Sequence, residues 1–199
     1  MDEPTRSEQN HPPVELDELL AAEFNYIALT ATQANEDRAR VSSFYLLAVG
    51  SLVAALLSTQ FFDPDKLTPT IRLMFSGLFI LLTLLGMSTV LQLAQLRSAW
   101  HESMRAMNQI KDFAMKQNPE LAEAFRWKTS TIPRKYKRSS VSYYQALEVS
   151  IIGGLTFGAA MFFLQQAFLQ VNALTWLICI LLGALAVYVQ MTLYKRMLT

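Results

Sequence analysis

A long run without charged residues sets the strongest limit on how this chain can fold. From Val149 to Tyr194 the sequence has no Asp, Glu, Lys, Arg or His over 46 residues. As one helix the run would be roughly 69 Å long at about 1.5 Å per residue, about twice the thickness of a bilayer core. A polar patch, Gln165 to Asn172, lies at its midpoint. The run therefore predicts a helical hairpin that crosses a membrane twice.

Two more charge-free segments are long enough to cross a membrane. Residues 41–62 and 73–96 hold 22 and 24 residues without charge, and about 20 apolar residues of helix span the hydrocarbon core. The segment between them has two prolines and four charges, which is typical of a turn outside the bilayer. The sequence predicts an all-α fold, a four-span transmembrane helical bundle of two hairpins. A soluble helical bundle is the alternative, and it would need a polar stripe wide enough to face water, which no span has.

The charge pattern predicts the organisation along the chain. It comprises a disordered N-terminus 1–13, a cytoplasmic helix 14–40, a first span 41–62, an external turn 63–72, a second span 73–96, a cytoplasmic helical segment with a basic linker 97–145, a third span 146–169, an external turn 170–172, a fourth span 173–194 and a cytoplasmic tail 195–199. Of the 17 Lys and Arg residues, 15 lie in the segments assigned to the cytoplasm. This asymmetry predicts a multi-pass protein of the inner (plasma) membrane with both termini in the cytoplasm.

The helix of the second span is expected to continue about 20 residues beyond the membrane, because no helix breaker precedes Asn118-Pro119. Asn118 is expected to cap a short helix that ends at Trp127. The extension carries apolar residues at spacings of three and four, which form a predicted partner face: Trp100, Met104, Met107 and Ile110. This face is expected to pack on the 14–40 helix, on another copy of the chain or on a cytoplasmic protein partner.

Basic residues and tyrosines directly precede the third span. The five basic residues are Lys128, Arg134, Lys135, Lys137 and Arg138. Each basic residue near a cytoplasmic membrane face is worth about 1 kcal/mol against anionic lipid. These side chains are predicted to contact lipid headgroups, and the alternative is that they only determine topology.

Small residues recur at four-residue spacing within three predicted spans. The rows are Gly50, Ala54 and Ser58 on the first span, Ser150, Gly154 and Gly158 on the third, and Cys179 and Gly183 on the fourth. In lipid, small residues let helix backbones approach closely. The rows predict tight helix packing, either within one chain or between copies, and a homo-oligomer is expected.

Uncharged polar residues share one face of the second span near its cytoplasmic end. Ser88, Gln92 and Gln95 either line a polar vestibule or form hydrogen bonds with neighbouring helices. No ionisable residue lies at mid-depth in any predicted span, and this disfavours a substrate-coupled transporter.

The sequence has no evident catalytic, cofactor-binding or metal-binding motif. His11 and His101 lack Cys, Asp or Glu partners at ligand spacing, and no phosphate-binding loop, nucleophile elbow or HExxH sequence occurs. The single cysteine, Cys179, excludes a disulfide within the chain. The net charge of +1 indicates no nucleic-acid partner. We therefore expect a non-enzymatic protein without a cofactor, whose first partner is the lipid bilayer.

The stretch TQANEDRARVSSFYLLAVGSLVAALL leads a charged helix directly into the first span, and the second span extends into a basic helix. Over roughly residues 20–115, this layout resembles the SLATT and Pycsar transmembrane families, small bacterial membrane effectors of anti-phage systems. The resemblance implies an oligomeric effector that impairs the inner membrane when a linked sensor is activated. This chain differs from those families in its second hairpin. Two other hypotheses stand beside it: a membrane anchor that recruits a cytoplasmic partner, and an integral-membrane enzyme acting on lipids.

Overall fold

The computed structural model describes residues 15–58 and 67–199, and this part of the chain is helical without β-strands. Its elements are α1 (Leu16–Ser58), α2 (Pro69–Gln117), α3 (Leu121–Ala124), a 3-10 turn (Thr129–Thr131), α4 (Val141–Phe168) and α5 (Ala173–Leu198). The predicted disordered segment 1–13, residues 59–62 of the predicted first span and residues 63–66 of the predicted external turn lie outside the described residues.

The first two long helices continue well past the segments predicted to span the membrane. α1 has 43 residues and α2 has 49, so their lengths are about 65 Å and 74 Å. Each is more than twice the roughly 30 Å of a hydrocarbon core. The helix predicted over 14–40 and the first span therefore form one continuous helix, as do the second span and its extension.

The start and end of α2 follow from local sequence. Pro69 occupies the first turn, where its missing N–H breaks no hydrogen bond, and the Thr68 hydroxyl accepts a hydrogen bond from the Ile71 N–H at 3.4 Å. The helix ends at Gln117 because Asn118 precedes a proline, and a residue before proline disfavours helical backbone angles.

The segment after α2 is less helical than its sequence predicts. The helix expected through Trp127 forms only as the four-residue α3, and Asn118 ends α2 instead of starting the next helix. The Asn118 Oδ1 atom accepts a hydrogen bond from the Glu120 N–H at 3.2 Å. The predicted helix from Asn118 to Trp127 is wrong in extent, because α3 begins only after Glu120 and its last residue is Ala124.

The second hairpin is delimited by two side-chain caps. At the start of α4 the Ser140 hydroxyl accepts from the Tyr143 N–H at 3.2 Å. At the start of α5 the Asn172 Oδ1 atom accepts from the Thr175 N–H at 3.0 Å, and the Asn172 N–H donates to the Thr175 hydroxyl at 3.3 Å. These reciprocal bonds satisfy donors that a helix start leaves unpaired. They place the turn between the last two spans at residues 169–172.

The helices pack as a bundle with α2 at its centre. α2 contacts α1, α4 and α5, whereas α1 contacts α4 only slightly. At one end, the Arg72 Nη1 atom donates a hydrogen bond to the Gln166 carbonyl at 2.7 Å and joins α2 to α4. The main core lies towards the other end, and its buried residues are Tyr45, Val90, Leu93, Ala94, Ala146, Val149, Tyr194 and Leu198.

Within the predicted spans, the outer faces of the four long helices are largely apolar. Met74, Leu155 and Ile180 are 69%, 69% and 65% exposed, and many other large apolar side chains of these helices share this position. Soluble proteins rarely expose contiguous apolar surface on this scale. All four helices are long and apolar enough to cross a membrane. The predicted fold class is confirmed: the chain is an all-α bundle of four long apolar helices, which indicates a multi-pass membrane protein.

Candidate functional site at the basic end of the bundle

Four helices meet around Tyr194, at the end of the bundle that also carries Arg38 and Arg97. We call it the basic end. The Tyr194 side chain is 1% exposed, and its hydroxyl lies 2.9 Å from the Ser142 hydroxyl. The Tyr136 ring from the linker before α4 lies edge-on to Tyr194, with ring centroids 6.5 Å apart. α4, α5 and the linker are therefore joined at this point by one buried aromatic residue.

Two arginines from different helices are buried beside Tyr194. Arg38 of α1 is 9% exposed and Arg97 of α2 is 7% exposed. The Arg97 Nε atom donates to the Lys135 carbonyl at 3.2 Å, and its guanidinium carbon lies 4.4 Å from the centre of the Trp100 ring. Burial lowers the pKa of each guanidinium, and the positive charge of Arg97 lowers the pKa of Arg38 further. We call Arg38 and Arg97 the arginine pair.

Sequence reasoning missed the arginine pair as a site. In the sequence analysis, Arg38 and Arg97 count only among the basic residues that predict the membrane topology. The sequence signal that could have indicated a site is their position next to the membrane: Arg38 lies three residues before the first predicted span, and Arg97 directly follows the second. Their burial depends on the contact between α1 and α2, which no local pattern encodes.

The five basic residues of the linker divide into two groups. Arg134, Lys137 and Arg138 are exposed, whereas Lys128 and Lys135 are half-buried. The Lys135 Nζ atom lies 3.5 Å from a Glu102 carboxylate oxygen on α2. The three exposed side chains lie close in sequence to the start of α4 at Val141, a position suited to the predicted headgroup contacts.

The linker is held against α2 by further contacts. A ring nitrogen of His101, Nε2, lies 3.2 Å from the Pro133 carbonyl. The pKa of His101 is lowered, first by burial and also by the nearby positive charges of Lys135, Arg97 and Arg105. This part of the protein is therefore rich in positive charge.

The predicted partner face on the extension of α2 is half-buried. Trp100, Met104, Met107 and Ile110 are all of intermediate exposure. Ile110 and Phe24 of α1 line a groove of about 420 Å³, together with Phe125 beyond α3. Trp100 lies under the Arg97 guanidinium. α1 and the segment after α3 thus occupy part of the predicted partner face within the chain.

The predicted polar residues of α2 lie together on the outside of the bundle. Ser88, Gln92 and Gln95 are exposed, and the Gln92 Nε2 atom donates to the Ser88 hydroxyl at 3.5 Å. We call these three residues the polar strip. The strip does not line the interior of a single bundle.

The small residues of α4 and α5 face each other. A Cβ atom built on Gly154 would lie 2.6 Å from the Gly183 carbonyl oxygen, and one on Gly183 would lie 2.8 Å from the Gly154 carbonyl oxygen. A Cβ on Gly158 would lie 3.1 Å from the Cys179 carbonyl oxygen. Ser150 is fully buried in the same helix. The rows on the third and fourth spans therefore meet each other inside one chain.

The row on α1 has a different position. A Cβ atom on Gly50 would meet no atom within 4 Å, and Ala54 is exposed. The side chain of Ser58 lies outside the part of the chain that the structure describes. Gly50 lines an open groove with Phe79 of α2 and Leu155 of α4, and the exposed Ala54 follows it on α1, so this small-residue surface is not filled by another helix of the chain.

The described side chains provide few groups for catalysis. Within residues 15–58 and 67–199, no three His, Cys, Asp or Glu residues lie where they could hold a metal ion. Polar contacts between spans are made by neutral groups, such as the Thr83 and Thr156 hydroxyls 3.0 Å apart. These contacts join α2 to α4 and are suited to packing in lipid.

Comparison of the chain with known proteins found no relative. No protein-family model, curated protein or solved structure matches the chain. The four apolar helices and their packing indicate a multi-pass membrane protein.

Proposed function

We propose that this protein is a non-enzymatic, homo-oligomeric effector of the inner membrane that alters membrane permeability. The observation that carries the proposal is the polar strip. Three uncharged polar side chains lie on the outer surface of a single bundle, within a segment of α2 that is otherwise apolar.

The physical argument concerns the cost of polar groups in lipid. An amide without a hydrogen-bond partner in an apolar medium costs roughly 2–7 kcal/mol. Among the described residues, the Gln92 amide forms one hydrogen bond, to the Ser88 hydroxyl at 3.5 Å, which is at the long end of such bonds. Association of copies through this side of α2 would remove the strip from lipid and gather several strips around one axis. Water lining such an axis would satisfy the amides and provide a polar path.

The open surface on α1 supports association between copies. Gly50 and Ala54 lie on the outside of the bundle, where they allow another helix to approach its backbone. The resemblance of the layout to the SLATT and Pycsar transmembrane families suggests the same function, in which assembly follows activation by a linked partner. Under this proposal, both termini and the 97–145 segment face the cytoplasm and receive that signal.

Permeability can be measured directly with purified protein in liposomes. We expect dye release or ion flux above that of empty vesicles, with or without soluble extract of the native host to supply the signal. The double variant Gln92→Leu with Gln95→Leu should lose more than half of this flux, because it removes the amides while making the span more apolar. The matched control is Gln109→Leu with Gln117→Leu, which changes exposed residues on the same helix beyond the predicted span. Assembled protein that leaks nothing under either condition would overturn the proposal.

Topology is tested by single cysteines in a Cys179→Ser background. Gln170 lies in the exposed turn before α5, and Lys137 is exposed in the basic linker. We expect an impermeant maleimide to label Gln170→Cys in intact cells and to label Lys137→Cys only after permeabilisation, because basic segments remain in the cytoplasm. The Cys179→Ser parent should stay unlabelled. The opposite labelling pattern would invert the orientation.

A membrane anchor is the second candidate function. Phe24, Ile110 and Phe125 line a groove, and Leu16 and Leu19 at the start of the same helix α1 are 53% and 55% exposed. A cytoplasmic partner could bind there without any change in permeability. This function gains support if the liposomes stay tight while a partner co-purifies with the parent and not with Ile110→Asp.

A further inference from the structure

The arginine pair lacks a balancing negative charge. Among the described residues, no carboxylate forms an ion pair with Arg38 or Arg97. Of the carboxylates nearest in sequence, Asp37 pairs with Arg40 at 3.4 Å, Glu102 pairs with Lys135 at 3.5 Å, and Glu36 is exposed. Two like charges, one from α1 and one from α2, are therefore buried at the same end of the bundle.

The hydrogen-bond donors of Arg38 are also incompletely used. Its Nη2 atom donates to the Asn35 Oδ1 atom at 2.6 Å, whereas its Nε and Nη1 atoms are buried without a partner. An arginine side chain has five N–H donors and no acceptor. Buried polar groups are normally hydrogen-bonded, and a native exception calls for a specific explanation such as a bound ion. A side chain more than nine-tenths buried thus presents unpaired donors and an unbalanced charge at the same place.

The position of the pair indicates the kind of anion. Arg38 lies three residues before the first predicted span, and Arg97 directly follows the second. This is the depth of lipid phosphates, and basic pockets between transmembrane helices at that depth bind anionic headgroups. Guanidinium groups match phosphate oxygens in geometry and charge better than ammonium groups do. The exposed Arg134 and Lys137 of the linker add positive potential at the same end.

We propose that Arg38 and Arg97 form a binding site for a phosphate group at the basic end of the bundle. The phosphate belongs either to an anionic phospholipid or to a soluble phosphate compound. In both cases its oxygens accept hydrogen bonds from the unpaired Arg38 donors and its charge offsets both guanidinium groups. Because the site lies between α1 and α2, its occupancy stabilises the contact between these two helices. This inference is independent of whether the protein alters permeability.

The test is the thermal unfolding of the full chain in a neutral maltoside detergent. One arm titrates sodium phosphate against sodium chloride at equal ionic strength. The other arm adds dioleoyl-phosphatidylglycerol or, for comparison, dioleoyl-phosphatidylcholine. We expect a saturable rise in unfolding temperature with phosphate, with phosphatidylglycerol or with both. In Arg38→Gln the apparent affinity should fall about tenfold to a hundredfold, since hydrogen bonds to charged groups are lost.

Arg40→Gln is the matched control, because Arg40 lies two residues from Arg38 on the same helix and its side chain is 77% exposed. It should keep the parental response. Saturation by phosphate alone identifies a soluble ligand, whereas a response restricted to phosphatidylglycerol identifies a lipid. Equal losses in Arg38→Gln and Arg40→Gln would overturn the site, because they would show general surface attraction. If Arg38→Gln does not fold, Arg97→Gln replaces it, and a parent that responds to neither ligand overturns the proposal without any variant.

Discussion

Gly183→Ala is expected to lower the free energy of unfolding by about 1–3 kcal/mol, the usual cost of forcing one extra group into a closely packed contact. The added Cβ would lie 2.8 Å from the Gly154 carbonyl oxygen. That neighbour is backbone and cannot rotate away, so α4 and α5 must separate. Gly154→Ala meets a similar obstacle, 2.6 Å from the Gly183 carbonyl oxygen. Gly154→Ile should prevent the hairpin from closing and abolish recovery of folded protein.

The measurement is equilibrium unfolding in mixed micelles of maltoside and increasing dodecyl sulfate, followed by tryptophan fluorescence in a Trp100→Phe, Trp127→Phe background that leaves Trp176. This residue reports on the hairpin because its ring lies 4.6 Å from that of Phe162 on α4. Gly77→Ala provides the matched control, since a Cβ there would meet no atom within 4 Å. It should leave stability unchanged or slightly raised, because Ala favours helix over Gly. Equal unfolding curves for Gly183→Ala and Gly77→Ala would show that the α4–α5 contact is not close.

Tyr194→Ala is the second change for which we expect a large effect. Tyr194 is 1% exposed and packs within the main core where α4, α5 and the linker meet. Truncating a buried aromatic residue to alanine costs about 3–5 kcal/mol through lost burial and the cavity left behind. The same unfolding assay measures the loss.

Two companion variants separate packing from polarity at this position. Tyr188→Ala, on the same helix, removes a side chain that is 70% exposed and should cost little. Tyr194→Phe keeps the ring and removes the hydroxyl that lies 2.9 Å from the Ser142 hydroxyl. It should cost about 1–3 kcal/mol, because Ser142 is left buried without this partner. If Tyr194→Ala lowers the free energy of unfolding no more than Tyr188→Ala does, the basic end of the bundle is not packed as described.

The polar strip and the arginine pair both show what local patterns do not reveal about a site. Ser88, Gln92 and Gln95 were recognised as one helical face, because three- and four-residue spacing places residues on the same side of a helix. Whether that face turns inwards or outwards depends on where α1, α4 and α5 pack around α2. Arg38 and Arg97 carry no motif at all, and only the contact between two helices brings them together.

The sequence by itself determined the number and extent of the apolar helices. A helix needs about 20 apolar residues to cross the bilayer, so the length of each charge-free run shows whether it can form a span. The 46-residue run from Val149 to Tyr194 was too long for one span, and Asn172, with its capping side chain, separates α4 from α5. These are local properties, so they need no knowledge of neighbouring helices. The same argument anticipated the continuation of α2 up to Asn118-Pro119.

Only the tertiary structure decided which helical faces meet. The small-residue rows on α1, α4 and α5 have the same spacing and similar composition, yet Gly154 and Gly183 lie in close contact while a Cβ on Gly50 would meet no atom within 4 Å. Small residues permit a close approach of two helices but do not specify which helix binds, because they contribute no distinctive shape or charge. The burial of Arg38 and Arg97 likewise follows from the path of α1 across α2. Pairing between helices is a non-local property of the whole bundle, and a single sequence contains no local signal for it.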